Sequence, residues 1–203
     1  MFTGLSAFPL TPMNESGINE KEFVHLIIRL ANAKVHSIGI LGSTGCYAYL
    51  NREERAKVTQ VTVENAQGVP VIVGVGAVRT KDVLYLAEDA QKAGANGLLL
   101  APVSYQKLTD DEVFSHYESV SKNISIPLCV YDNPGTTHFE FSDALHGRIA
   151  QLPNVASIKI PGLSANLGEA KARVDRLRSH IPAHVTIGIS GDSLRGNRSE
   201  CRL

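Results

Sequence analysis

Three cysteines, Cys46, Cys129 and Cys201, are all that the 203-residue sequence holds. They are odd in number and far apart, which argues against a disulfide framework and fits a reducing cytoplasm. The seven histidines form no HExxH, and no CxxC occurs, so no protein-bound metal is expected. Neither charge sign is in excess: 20 Lys and Arg stand against 20 Asp and Glu. No basic stripe is interleaved with aromatics, which argues against nucleic acid as the main partner. No apolar run approaches the roughly 20 residues of a membrane span. The opening MFTGLSAFPLTP lacks a positive n-region and a long apolar h-region, so it does not read as a signal peptide. A cytoplasmic globular chain remains, long enough for one domain or for part of a larger one.

What is present is an alternation. Short β-branched runs recur at about the length of one βα unit. They begin at Gly4, His36, Pro70, Gly97, Ile126, Val155 and Val185. Helical patterns with charged faces lie between them. One spans Asn19–Ala33, with Asn19 as N-cap and Phe23, Ile27, Leu30 and Ala31 at helical spacing. Others open at Asn51, at Thr109 with a capping box through Glu112, and at Ser142, and one closes at Gly94. A further helix is expected over Ala165–His180.

Continuous apolar strands alternating with helices imply a parallel sheet covered by helices. An open doubly wound sheet needs a phosphate-binding glycine turn. GVGAVR at Gly74–Arg79 has no third glycine and no acidic residue at the right distance. Polar residues gather instead where strands end: Ser43 and Thr44, Tyr131 and Asp132, Lys159, Asp192. That is the pattern of a (β/α)8 TIM barrel.

Strand alternation groups Val155, Ser157 and Lys159 on one face and Ala156, Ile158 and Ile160 on the other. It also sends Ile38 and Ile40 one way and Leu41 and Ser43 the other, and turns Cys129 and Tyr131 inward. Lys159 then points into the barrel mouth. A strand-end lysine can simply snorkel to solvent. In a poorly solvated cavity its ammonium is disfavoured, and the neutral amine suits Schiff-base chemistry on a carbonyl. Tyr131 is either packing or a proton shuttle beside that lysine. GSTG, Gly42–Gly45, is either a tight turn or a set of hydroxyls and free N–H groups, Gly45 included, that hold a carboxylate.

The ordered motifs FTGLSAFPLTP, GSTG followed by LNREER, PVIVGVGA, YDNPGTT, SIKIPG and ISGD resemble the dihydrodipicolinate synthase / N-acetylneuraminate lyase family of class I, pyruvate-handling aldolases. The resemblance runs from Met1 to about Ser193. It implies a lyase or aldolase in which Lys159 forms an imine with the keto carbon of pyruvate or another 2-keto acid. Tyr131 then relays protons, and Ser43 and Thr44 hold the carboxylate and link to the tyrosine. No cofactor or metal is implied, because the iminium itself withdraws electrons. Tyr105 matches a tyrosine that reaches a neighbouring subunit's site, so a homo-oligomer, dimer or tetramer, is implied. Thr136 stands where dihydrodipicolinate synthases carry an arginine. Aldehyde specificity is expected from Thr136, Thr137, His138 and Asp192, and threonines in place of arginine point to a neutral or hydroxylated partner, as in a sugar-acid aldolase or a 2-keto-3-deoxy acid dehydratase. Cys46 replaces a frequent glutamate, and Ser104 a frequent second tyrosine.

The expected organisation is an incomplete barrel domain over 1–193 and an atypical, basic tail over 194–203. About seven βα units are present, and the eighth strand and the C-terminal helices are missing. The alternative is a truncated, catalytically weak relative that at most binds keto acids.

Overall fold

In the computed structural model, which describes residues 2–191, each β-branched run becomes a strand. The elements are β1 (Ser6–Ala7), β2 (Met13–Asn14), β3 (Gly17–Ile18), α1 (Glu20–Asn32), β4 (Ser37–Ile40), α2 (Arg52–Asn65), β5 (Val71–Gly74), α3 (Thr80–Lys92) and β6 (Gly97–Leu100). Then follow α4 (Asp110–Ser121), β7 (Leu128–Tyr131), α5 (Pro134–Thr137), α6 (Asp143–Ala150), β8 (Val155–Ile160), α7 (Leu167–Arg178) and β9 (Thr186–Ile189). Seven strands form one parallel sheet in the order β1-β4-β5-β6-β7-β8-β9, with β1 and β9 at its edges among the described residues. Among the described residues this curled parallel sheet is the TIM-barrel architecture without its closing part. The small β2–β3 hairpin was not foreseen. Its strands have two residues each, too short for a visible alternation.

The helices start where the sequence places their caps. The Asn51 side chain accepts from the Glu54 N–H, and the Glu54 carboxylate accepts from the Asn51 N–H. Thr109 and Glu112 form the second capping box. Asn19 and Ser142 cap α1 and α6. Gly94 follows α3 with φ +92°, a conformation open to glycine and costly for other residues.

The core lies between the helices and the outer faces of the strands. Ile38, Ile40, Val73, Leu98, Leu100, Leu128, Val130, Ile158 and Ile160 are buried there. The inner face carries a smaller cluster, Ile72, Leu99, Ala101, Cys129 and Tyr131, with Phe8 packed against it. Two expected facings are corrected. The β7–β8 register runs Leu128↔Val155 and then Cys129↔Ser157, so β8 holds one extra residue, Ala156, at a bulge. The bulge resets the alternation and puts Val155 in the outer core while Ser157 and Lys159 face inward. Leu41 also packs outward, because it turns left-handed with φ 54° at the end of β4. The chain there runs so close to β5 that a Cβ on Gly74 would lie 1.8 Å from the Leu41 carbonyl oxygen. No helix among the described residues is long and apolar enough to cross a membrane.

Candidate active site

Parallel pairing places Tyr131 and Lys159 side by side, as Cα partners at the C-terminal ends of β7 and β8. Both project into a cavity of about 620 Å³ on the inner face of the sheet. Its wall includes Phe8, Thr44, Ile72, Leu99, Cys129, Ser157 and Gly188. The Lys159 Nζ lies 3.9 Å from the centre of the Phe8 ring and 4.3 Å from that of Tyr131. Burial pulls the lysine below its ordinary pKa, with the nearby Cys129 acting in the opposite direction. A half-buried amine between two aromatic faces is partly sheltered from competing solvent and sits nearer its nucleophilic form.

The Tyr131 hydroxyl belongs to a polar cluster tied together by one amide. Asn133 Nδ2 lies 3.0 Å from Tyr131 Oη, 3.1 Å from Ser43 Oγ and 2.7 Å from Thr136 Oγ1. An amide has two hydrogens for these three acceptors, so it shares or switches between them. Tyr131 also exchanges a hydrogen bond with Ser43, which favours its ionised form against the dominant effect of burial, and its pKa is raised on balance. The tyrosine hydroxyl therefore lies between the Asn133 amide, which donates to it, and the Ser43 hydroxyl.

The GSTG turn is braced from several sides. Thr11 Oγ1 donates to the Gly45 carbonyl at 2.8 Å. Gly45 has no room for a side chain, since a Cβ would stand 2.9 Å from the Leu41 nitrogen. Cys46 follows in a left-handed conformation, φ 56°, with its Sγ 3.7 Å from the Thr44 carbonyl oxygen. Behind the turn, buried Arg55 donates to the Gly74 and Gly76 carbonyls at 2.8 and 3.0 Å and lies over the Tyr47 ring at 5.2 Å. Burial lowers its pKa to about 10, which leaves it charged at neutral pH.

The structure thus brings together Lys159, Tyr131, Ser43 and Thr44, with Thr44 exposed on the cavity wall. Thr136 joins the cluster only through Asn133 and is not on the cavity wall. Tyr105 is 91% exposed on the segment between β6 and α4 and is not on the cavity wall. Asp192 and the tail lie outside the described residues. Sequence reasoning passed over Asn133, although it stands inside the YDNPGTT motif. It also passed over Phe8. Cys129 and Ser157 were turned inward by the same alternation as Lys159 but given no role in the site, and both line the cavity.

Residues 1–181 match the Dihydrodipicolinate synthetase family. The chain is 35% identical over 161 residues to a 4-hydroxy-tetrahydrodipicolinate synthase of Syntrophobacter fumaroxidans, covering 78% of this chain and 55% of that protein. It superposes on a dihydrodipicolinate synthase from Agrobacterium tumefaciens with a TM-score of 0.90 and 46% identity, over 94% of this chain and 64% of that one. An Acinetobacter baumannii dihydrodipicolinate synthase, solved with pyruvate, gives a TM-score of 0.80 at 28% identity, over 93% and 64% of the two chains. The chain therefore spans just over half the length of curated relatives such as the Syntrophobacter protein. Over that span, in sequence and fold, it belongs to the dihydrodipicolinate synthetase family.

Proposed function

We propose that this chain carries the Schiff-base machinery of a lyase or aldolase acting on pyruvate or another 2-keto acid. One observation carries the reading: the Lys159 amine is half-buried in a cavity, beside a tyrosine whose hydroxyl is wired to Ser43 and Asn133. Lys159 Nζ attacks the keto carbon to give a carbinolamine, and loss of water leaves the iminium. Tyr131 and Ser43 supply and collect the protons of those steps. The iminium then draws electrons from C3, which releases a proton or a carbon substituent and becomes an enamine able to add to an aldehyde. No Lewis acid is invoked in this sequence. Thr44 and the backbone around Gly45 hold the keto-acid carboxylate at the cavity wall. Thr136 in place of an arginine favours a neutral or hydroxylated acceptor. A homo-oligomer, to which Tyr105 contributes, belongs to the same reading.

Reduction with borohydride in the presence of pyruvate, followed by peptide mass spectrometry, tests it. A pyruvate-dependent adduct on Lys159, absent from Lys159→Ala, is expected. A folded sample that pyruvate stabilises against heat without any adduct would reduce the proposal to keto-acid binding. No adduct and no stabilisation would end it.

A further inference from the structure

Behind the catalytic pair, on the outer side of the sheet, sits a second pair that the imine chemistry does not use. Asp132 follows Tyr131 and is 5% exposed, and His146 on α6 is fully buried. Asp132 Oδ2 and His146 Nε2 are 3.5 Å apart. Among the described residues neither ring nitrogen of His146 has a hydrogen-bond partner, and the Asp132 carboxylate stands 3.5 Å from Nε2. The imidazole is fixed in orientation by Phe141, whose ring stacks on it at 4.8 Å with the planes 4° apart. The Asp132 backbone N–H donates to the Lys159 carbonyl at 2.9 Å, the first bond beyond β7 that joins it to the lysine's own residue. One residue is therefore bonded through its backbone to Lys159, brought through its carboxylate to 3.5 Å from His146 of α6, and joined covalently to Tyr131.

We infer that the Asp132–His146 pair is a positioning device that locks the end of β7 against β8 and so sets Tyr131 in register with Lys159. A hydrophobic residue at either position would fill the space. It would leave the junction held by a single backbone bond, and polar interiors of this kind specify geometry more than they add stability. Asp132 also lines a separate cavity of about 420 Å³, which gives the pair contact with solvent. The charged and titratable groups that influence the pair are Arg173 on α7, Asp143 on α6, Glu140 before α6 and Tyr117 on α4. Arg173 is itself engaged by Asp143 at 2.7 Å, so it cannot replace His146 as the partner of Asp132 without giving up that contact. The catalytic consequence rests on the imine reading above, whereas the structural lock does not.

Residue-resolved amide exchange measures the lock directly. In His146→Phe, which keeps the stacked ring, the amide at position 132 is expected to exchange about tenfold faster. The amides of Val75 and Leu98, bonded to β6 and to Pro127 just before β7 respectively, are expected to hold their rates. Asp132→Asn, which keeps the shape and an acceptor for the imidazole, is expected to stay within about threefold of wild type. No change at position 132, or equal acceleration at all three amides, overturns the inference. Borohydride trapping supplies the second readout. The maximal trapping rate is expected to fall about tenfold in His146→Phe, with half-saturating pyruvate within about twofold. An unaltered rate overturns the positioning role. A wild-type chain that traps nothing counts against the imine reading alone, since the exchange arm still judges the lock. If His146→Phe does not fold, NMR of the wild-type histidines decides. A His146 that stays neutral at pH 5 and carries its proton on Nε2 at pH 7.5, where Asp132 is ionised, supports the pair, and titration at the ordinary histidine value removes it.

Discussion

Lys159 is pulled two ways. Burial favours its neutral amine, while the faces of Phe8 and Tyr131, at 3.9 and 4.3 Å, favour the ammonium. A cation over an aromatic face gains on the order of 1 kcal/mol, enough to limit how far burial lowers the pKa without reversing it. Replacing Phe8 by Leu keeps the apolar wall and removes one face. The lysine pKa then falls further, and the acid limb of the rate of pyruvate trapping moves to lower pH. A shift to higher pH, or none, would mean that the ring does not hold the charge. Cys129, on the same wall, behaves oppositely to a reactive cysteine. Burial pushes its thiol up to about 11, so at pH 8 only about one molecule in a thousand carries a thiolate. Iodoacetamide is expected to label the more exposed Cys46 long before Cys129, and mapping the labelled peptides over time checks this. Early labelling of Cys129 would show that the cavity floor is wetter than its burial implies.

The elements were largely legible, because period-two runs, caps and a closing glycine are local signals that survive tertiary packing. Each of the seven strands lies within or beside an apolar run, and the caps at Asn19, Asn51, Thr109 and Ser142 are where the side chains put them. The misplaced facings have one cause. Alternation holds only while the backbone stays extended, and both the Ala156 bulge and the left-handed Leu41 reset it. The inward lysine and tyrosine were legible because both lie beyond the bulge on regular strand, whereas Asn133 acts through a turn that no periodicity describes. The Asp132–His146 contact was not legible at all, since it joins a strand end to a helix through a spacing that only the fold defines. It makes an element-scale prediction with a definite sign. Burial raises Asp132 to about 6, with Arg173 opposing and Glu140 and Asp143 adding. A raised carboxyl contributes stability that is full below its unfolded value, near 4, and lost as pH rises through about 6. Burial and Arg173 lower His146 to about 4, with Asp143 opposing. A lowered histidine contributes stability that is present above about 6.5 and lost as pH falls through about 4. Between about pH 4 and 6 the native pair holds its proton on the aspartate and the unfolded chain holds it on the histidine, so the two slopes cancel. Removing one partner unmasks the other. Relative to wild type, His146→Phe should lose stability as pH rises from 4.5 to 5.5, by up to about 1.4 kcal/mol, and Asp132→Asn should gain by a similar amount. Urea midpoints at the two pH values decide it. Changes of the same sign in both variants would show that the groups titrate independently of this burial.

For the whole molecule, what matters is how a half-enclosed cavity is held by a sheet whose described strands leave β1 and β9 at the edges. The interior strands β4 to β7 are buried at every residue, while all four residues of β9 are half-buried and β1 pairs over only two. Local opening costs least where few apolar contacts are lost, so protection should fall from the middle of the sheet to its edges. The cavity changes that gradient, because its wall includes Ser6 of β1 and Gly188 and Ile189 of β9 as well as Lys159. A ligand held there binds only the arrangement in which both edges are in place, and it therefore stabilises them by mass action more than it stabilises strands already protected. The amide of Ser190, bonded to the Ile160 carbonyl beside β9, is expected to exchange at least about a hundredfold faster than that of Leu98 in the free protein. Saturating pyruvate should slow Ser190 by about tenfold or more and leave Leu98 within about twofold. Uniform slowing across the sheet would mean that pyruvate stabilises the global fold and the edges do not open by themselves. Slowing at neither amide, with trapping on Lys159 still present, would place the bound keto acid against β7 and β8 alone, so that the cavity's outer wall takes no part in holding it.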